Sequence, residues 1–431
     1  MEVFALVLPS GLDPFALVAS HPERWCALLE DPHRGIAVLA SREGEGRAFA
    51  ADEGDAFAAM FASIEACCDA SLLPAPLAIG YLAYEAGAWF DRMPRPKAEL
   101  HPVAWLHRPR IGVRIEPGRA IVFAADSDAA HAARAWLTEP EAVKLPALPR
   151  WGAVRAAPCA EAYCDAVQRV REYIAAGDVF QANIARFFAL PCPRDALIGL
   201  YARLRRHNPA PFSGWVEVSA SEELVLLSSS PERLLCVDAK RVVQSRPIAG
   251  TRRRGTGAED DRLKQELLLS EKERAEHLML VDLVRNDLGR VAEVGTVQVD
   301  ELMTIERYAT VQHIVSNVRA RLAEGKTRLD ALAAIFPGGT ITGCPKLRCI
   351  EIIHELEPGP RGPYTGSLGW IACNGAMDWN ILIRTCWWQK GWLHWAAGAG
   401  IVADSVPEKE LAEVAHKAAG ITRALGIQGR M

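Results

Sequence analysis

An α+β fold rich in antiparallel sheet is predicted by three features of this chain. Between Met1 and about Ala125, short apolar runs (Val3 to Leu8, Gly35 to Leu39, Ile111 to Ile115, Ala120 to Ala124) alternate with turn residues, as successive antiparallel strands do. Helical pieces lie between these runs. Farther on, helical periods at Ala160 to Ala176 and Ser270 to Asp287 alternate with further strands. The third feature is size: 431 residues with 50% hydrophobic content are enough for a large layered core or for two to three domains.

The same totals exclude several functions. A net charge of −4 leaves no electrostatic footprint for nucleic acid, and no apolar run approaches the ~18 residues that a membrane span needs. Met1 and Glu2 lead into an apolar segment without a basic stretch, which reads as a first strand and not as a signal peptide. The eleven cysteines are odd in number and include no C-x-x-C pair, against both a disulfide framework and a zinc knuckle. A soluble protein of the reducing cytoplasm is expected.

A stretch rich in proline and alanine, Pro140 to Pro158, is the candidate linker between an N-terminal region (1–145) and a C-terminal one (159–424). The helix Ala160 to Ala176 stops at Gly177, and Asp178 to Phe188 reads as a strand. Ser270 and Glu273 have capping-box spacing at the head of one helix. Ser405 and Glu408 have it at another, with Pro407 suited to the first turn. Strands are expected at Leu224 to Leu227, Tyr364 to Ala372 and Asn380 to Trp388. The last of these turns at Lys390-Gly391 into Trp392 to Ala397, where Trp387, Trp388, Trp392 and Trp395 suit hairpin packing.

The stretch from Pro337 to Glu357, PGGTITGCPKLRCIEIIHELE, combines a glycine turn with a helix on which Ile350, Ile353 and Leu356 recur at helical spacing. Pro345 suits that helix's first turn, whose amides would suit a carboxylate or phosphate. It is not a P-loop, because Cys344 and Pro345 follow Gly343 where Lys and Ser or Thr would be needed. This stretch resembles the signature of the chorismate-utilising family that contains the large subunits of anthranilate synthase and aminodeoxychorismate synthase. Further matches extend the resemblance from about Leu28 to Lys417.

The resemblance implies large, mainly antiparallel sheets stacked as a sandwich with helices outside, and it implies a set of roles. Glu232, in Ser230-Pro231-Glu232-Arg233, matches the acid that protonates the leaving C4 hydroxyl of chorismate, so its pKa should be raised. His313 matches a histidine beside the substrate ring. Glu276 and Glu413 match magnesium ligands, with Glu273 and Glu410 three residues before each; two helices that each carry paired carboxylates suit a hard cation. Alone, Glu413 and Lys417 would be an ordinary surface ion pair. Tyr364 and Arg384 match carboxylate-binding positions, and Thr251, Thr340, Lys417 and the run Gly398-Ala399-Gly400 match other substrate contacts, the glycines supplying backbone N–H donors.

Several positions speak to the branch of the family. Gln181 stands where chorismate enzymes that add water carry a lysine base, which disfavours addition of water. The resemblance implies amination instead, with ammonia from a separate glutamine amidotransferase subunit, since no amidotransferase module with a nucleophilic Cys and partner His is evident in the sequence. Asn183, the Gly338-Gly339 turn and Asn380 resemble the aminodeoxychorismate branch, which feeds 4-aminobenzoate and folate synthesis; Gly80 to Phe90 is similar to that branch too. Ala249, in Arg246 to Thr251, resembles anthranilate synthases, since the other branch usually carries a lysine nucleophile there. His21 to Asp31 resembles a segment that helps form a tryptophan pocket in anthranilate synthases, but Asp31 replaces their serine. The expected reaction is amination at C4. The alternatives are amination at C2 and a catalytically silent paralogue that only partners an amidotransferase.

Overall fold

Two large sheets carry the molecule, and strands from both ends of the chain enter each of them. The computed structural model describes residues 1–9, 11–98, 102–138, 143, 145–219, 223–307 and 311–427. Among these, one sheet has twelve strands. Its main path runs Glu2–Val7, Arg119–Ala124, Ile111–Glu116, Ile36–Ser41, Trp25–Asp31, Phe212–Ser219, Leu224–Ser230, Thr385–Gln389, Trp392–Ile401, Gln181–Pro191 and Gly343–Cys344, with Arg155–Ala157 also on Gln181–Pro191. The other has ten, from Ile248–Arg253 through Val311–Arg321 to Gly44–Phe49. The recorded strand pairs are antiparallel throughout.

The layering follows from side-chain alternation. Every residue of Leu224–Ser230 is buried, because both faces of its sheet are covered. Leu224 and Leu226 point into the layer between the sheets, where they meet Ile79, Tyr81 and Leu368 of the other sheet. Val225 and Leu227 point the opposite way, into the core under the helices Ala160–Ala175, Leu197–His207 and Pro407–Leu425. A third core lies under Gly54–Glu65, Glu271–Gly289 and Arg328–Ile335 on the outer face of the second sheet. The order is therefore helix, sheet, sheet, helix, the α+β sandwich expected. Leu226 is fully buried, so truncating it to Ala should cost about 2–5 kcal/mol.

Residues 1–145 and 159–424 share both sheets: Trp25–Asp31 pairs with Phe212–Ser219, and Pro76–Leu82 pairs with Ser367–Ala372. The proposed linker is partly built into the body. Residues 139–142 and 144 lie outside the described set, but Arg155–Ala157 pairs with Phe187–Ala189, and Trp151 Nε1 donates to the Leu425 carbonyl at 2.7 Å. All eleven cysteines are unbridged. Among the described residues, no helix is long and apolar enough to cross a membrane.

Four local expectations are corrected. The strand expected at Asn380 to Trp388 is broken into Met377–Asn380 and Thr385–Gln389, because the chain turns at Ile381–Arg384 and Arg384 adopts φ +51°. The strand expected from Tyr364 begins only at Ser367, which leaves Tyr364 in a turn. At the second acidic helix, Pro407–Leu425, Pro407 is the first residue but Val406 is the cap; the Ser405 hydroxyl accepts from Val402 N–H at 3.1 Å instead. At the signature, Pro345 caps the helix Lys346–Leu356 instead of opening its first turn, and none of that helix's residues lines the large cavity described below. The anion site expected at its first amides is therefore not part of that cavity.

Candidate active site

Between the two acidic helices and the edges of both sheets lies a cavity of about 790 Å³, within the range of small-molecule sites. The strand Gln181–Pro191 supplies Gln181 and Asn183, two residues apart and so on one face. The next strand, Trp392–Ile401, passes beside them with Gly398 and Gly400. A Cβ on Gly398 would lie 2.5 Å from Asn183 Oδ1 and 2.7 Å from Tyr364 Oη, and one on Gly400 would lie 2.2 Å from Gln181 Nε2. Only glycine leaves room for these polar tips. Ala399 between them points away into the helix-side core and does not line the cavity, as strand alternation requires, so the expected run of three contacts reduces to two.

Glu232 follows directly from the strand Leu224–Ser230. Its N–H donates to Ser230 Oγ at 3.3 Å and its carbonyl accepts from Ile381 N–H at 3.0 Å, so the Ser-Pro-Glu turn is held firmly. The side chain is buried, and Oε1 has no hydrogen-bond partner among the described residues. Burial pushes its pKa from the ordinary value near 4.5 up to about 7, against the pull of the Thr340 hydroxyl, the Ile248 backbone and the charges of Arg384 and Lys417. The rise is in the direction expected from the motif. Arg384 reaches the same space through its left-handed backbone; burial lowers its pKa and the Glu232 charge opposes the fall.

His313 sits on Val311–Arg321, opposite Thr251 and Glu306. Burial, helped by the Arg384 charge, lowers its pKa to about 4, although a Gly250 backbone hydrogen bond and Glu306 pull upward. It is a neutral imidazole near pH 7. Thr251 lies on the adjoining strand, but its side chain falls outside the described residues. Ala249 lines the cavity wall.

Glu273, Glu276, Glu410 and Glu413 all line this one cavity, the first two on Glu271–Gly289 and the others on Pro407–Leu425. Ser270 Oγ accepts from Glu273 N–H at 3.3 Å, but the Glu273 carboxylate takes Arg252 at 3.0 Å, a residue the sequence reading overlooked. Glu276 accepts from Gln181 Nε2 at 2.9 Å, and Glu413 pairs with Lys417 at 2.8 Å. Lys417 also donates to the Gly398 carbonyl at 3.0 Å. Among the described residues, no three acidic, histidine or cysteine side chains stand close enough to cage a metal ion. The donors are nevertheless all oxygen, and the four carboxylates line one cavity from two helices. That fits a magnesium ion taking one or two protein carboxylates and completing its shell with substrate and water.

The structure thus brings together Glu232, His313, Thr340, Tyr364, Arg384, Gly398, Gly400, Lys417 and the four glutamates. Asn208, His416 and Arg423 were missed. His416 and Arg423 share the helix of Glu413, a signal its periodicity did offer; Asn208 joins from another element and left no local trace. The segment that resembled a tryptophan pocket lines a separate cavity of about 260 Å³ with Arg34, Trp370 and Asn380. There Asp31 accepts from the N–H groups of His33 and Arg34 at 3.0 and 3.2 Å.

Comparison with known proteins agrees with this geometry. A family model described as chorismate binding enzyme matches residues 24–423. Anthranilate synthase component 1 of Thermus thermophilus is 44% identical over 365 residues, covering 80% of this chain and 77% of that protein. Aminodeoxychorismate synthase component 1 of Bacillus subtilis is 45% identical over 304 residues, 70% of this chain and 64% of that protein. The crystal structure of anthranilate synthase component I from Streptococcus pneumoniae superposes with a TM-score of 0.73 at 25% identity, over 97% of this chain and 99% of that one. With a match spanning nearly its whole length and the motif residues gathered at one cavity, the chain belongs to the chorismate binding enzyme family, whose members act on chorismate.

Proposed function

We propose that this protein aminates chorismate at C4 with ammonia, giving 4-amino-4-deoxychorismate and water for 4-aminobenzoate and folate synthesis. The observation that carries amination over hydration is Gln181: at the position where water-adding relatives carry a lysine base there is an amide, bonded to Glu276, and an amide cannot deprotonate water. Glu232, held near neutrality, protonates the departing C4 oxygen as its bond to carbon breaks, so that no alkoxide develops in a buried site. Arg384, Tyr364 and the backbone beside Gly398 bind and orient the carboxylates, and neutral His313 packs by the ring. Magnesium held by Glu276 and Glu413, with Glu273 and Glu410 behind them, would anchor the ring carboxylate and offset its charge. Ammonia comes from a separate glutamine amidotransferase, in keeping with the "component 1" names of the relatives.

C4 is favoured by the resemblance of Asn183 to the aminodeoxychorismate branch, at a position that lines the cavity with its Oδ1 buried and without a hydrogen-bond partner among the described residues. A second reading, amination at C2 with loss of pyruvate to give anthranilate, is favoured by Ala249. This side chain lines the cavity and cannot serve as the covalent nucleophile at C2. On the first reading, water or ammonia adds at C2 while the C4 hydroxyl leaves, and incoming ammonia at C4 then expels it. The test is product identification by mass and chromatography with chorismate, ammonium and magnesium, with and without an added aminodeoxychorismate lyase. The first reading requires 4-aminobenzoate when the lyase is present; anthranilate without lyase and no 4-aminobenzoate with it establishes the second.

A further inference from the structure

Beneath the cavity wall that carries Asn183 and Tyr364 lies a buried arginine that no step above uses. Arg361 is 1% exposed, and all five of its N–H groups have an acceptor. Nε donates to Glu357 Oε2 at 2.9 Å, and one terminal nitrogen donates to Glu357 Oε1 at 2.7 Å and to the Asn183 carbonyl at 2.8 Å. The other donates to the Ile341 carbonyl at 2.9 Å and to Thr365 Oγ1 at 3.3 Å. The guanidinium also stands 4.9 Å from the Tyr84 ring centre and 5.5 Å from that of Tyr364. Glu357 in turn accepts from Ala185 N–H at 3.0 Å, and Glu85 accepts from the N–H groups of Arg361 and Gly362.

One planar group therefore ties together three separate pieces of cavity wall: the strand at Asn183, the turn at Thr340-Ile341 and the turn at Tyr364. Over Gly398, the tips of Asn183 and Tyr364 converge to where a single methyl group would touch both. We infer that Arg361, with Glu357 as its counter-charge, is a positioning residue that fixes the Asn183–Tyr364 corner for chorismate binding. The inference rests on reading the cavity as the chorismate site. A lysine cannot replace Arg361, because it has three donors on one atom and no plane with which to span the three segments.

The test pairs two variants, Arg361→Lys and the double variant Arg361→Met/Glu357→Met. The double variant removes both charges together, a change that buried pairs often tolerate without loss of stability, whereas leaving either one alone is costly. Chorismate consumption is followed at saturating ammonium and magnesium, with direct chorismate binding by calorimetry as control. Positioning for binding predicts a KM raised about tenfold or more with kcat within about threefold in whichever variant folds. Folded variants with wild-type KM, or folding lost in both, overturn the proposal. Wild-type protein that does not bind chorismate refutes the reading of the cavity instead, so the two failures are distinguishable.

Discussion

Replacing Glu232 by Gln should slow the chemical step and stabilise the fold at alkaline pH at the same time. The side chain is 5% exposed and its pKa stands at about 7, against an ordinary 4.5. A raised carboxyl pKa means that the folded protein holds a proton the unfolded chain has released between those two values, so stability from this group is full below about pH 4.5 and falls until about pH 7. The gap corresponds to about 3 kcal/mol, lost from the wild type at pH 8 and restored by the uncharged amide. For a chain of this length that is about 3–4 °C in Tm at pH 8, with no difference at pH 4. The comparison must be wild type against variant, because buried Glu85 also rises to about 7 and titrates in the same window in both. In single-turnover reactions with saturating chorismate and ammonium, the variant should lose about 10²–10⁴-fold. The wild-type rate should fall about tenfold per pH unit above 7, as the acid form is depleted. An unchanged chemical step in the variant would refute the assignment and leave Glu232 a turn residue; a wild-type Tm gap that persists at pH 4 would refute the linkage.

Two other outcomes follow from the site. Glu413→Gln removes an exposed pair with Lys417, worth at most about 1 kcal/mol, so Tm should hold while magnesium-dependent turnover with ammonium falls well beyond tenfold; activity within about tenfold of wild type excludes Glu413 as a ligand. The purified chain should turn over with ammonium salts and not with glutamine, and glutamine-dependent turnover after rigorous purification would contradict a separate amidotransferase.

The sheets and most helices were legible because alternation and helical periods report burial directly. Ala160–Ala175 with left-handed Gly177 and the Lys390-Gly391 hairpin formed where local chemistry asked for them. What could not be read locally was set by partners far along the chain. Glu273 has the spacing of a capping box, yet its carboxylate goes to Arg252, and Ser405 serves Val402. Arg384, in the left-handed region, interrupts a strand whose composition favours continuity, and its side chain lines the large cavity. Branch markers also divided once placed. Asn183 and Ala249 are at the cavity, whereas Asn380 lines the smaller one and Gly339 makes room for Leu283. Sequence wording weighs these positions alike; only their placement says which can touch substrate.

The sharing of both sheets by distant parts of the chain bears on how the protein is made. Pro76–Leu82 finds its neighbour Ser367–Ala372 roughly 290 residues later, which at ~5–20 residues per second is on the order of 15–60 seconds of ribosomal synthesis. Trp25–Asp31 waits in the same way for Phe212–Ser219. During that interval the early strands have apolar faces and open hydrogen-bonding edges, a template for pairing with other nascent chains. A fragment ending near residue 145 would keep those edges for good. High expression should therefore give soluble product more readily at low temperature or with holdase chaperones, and cutting the chain at the former linker should yield two insoluble halves.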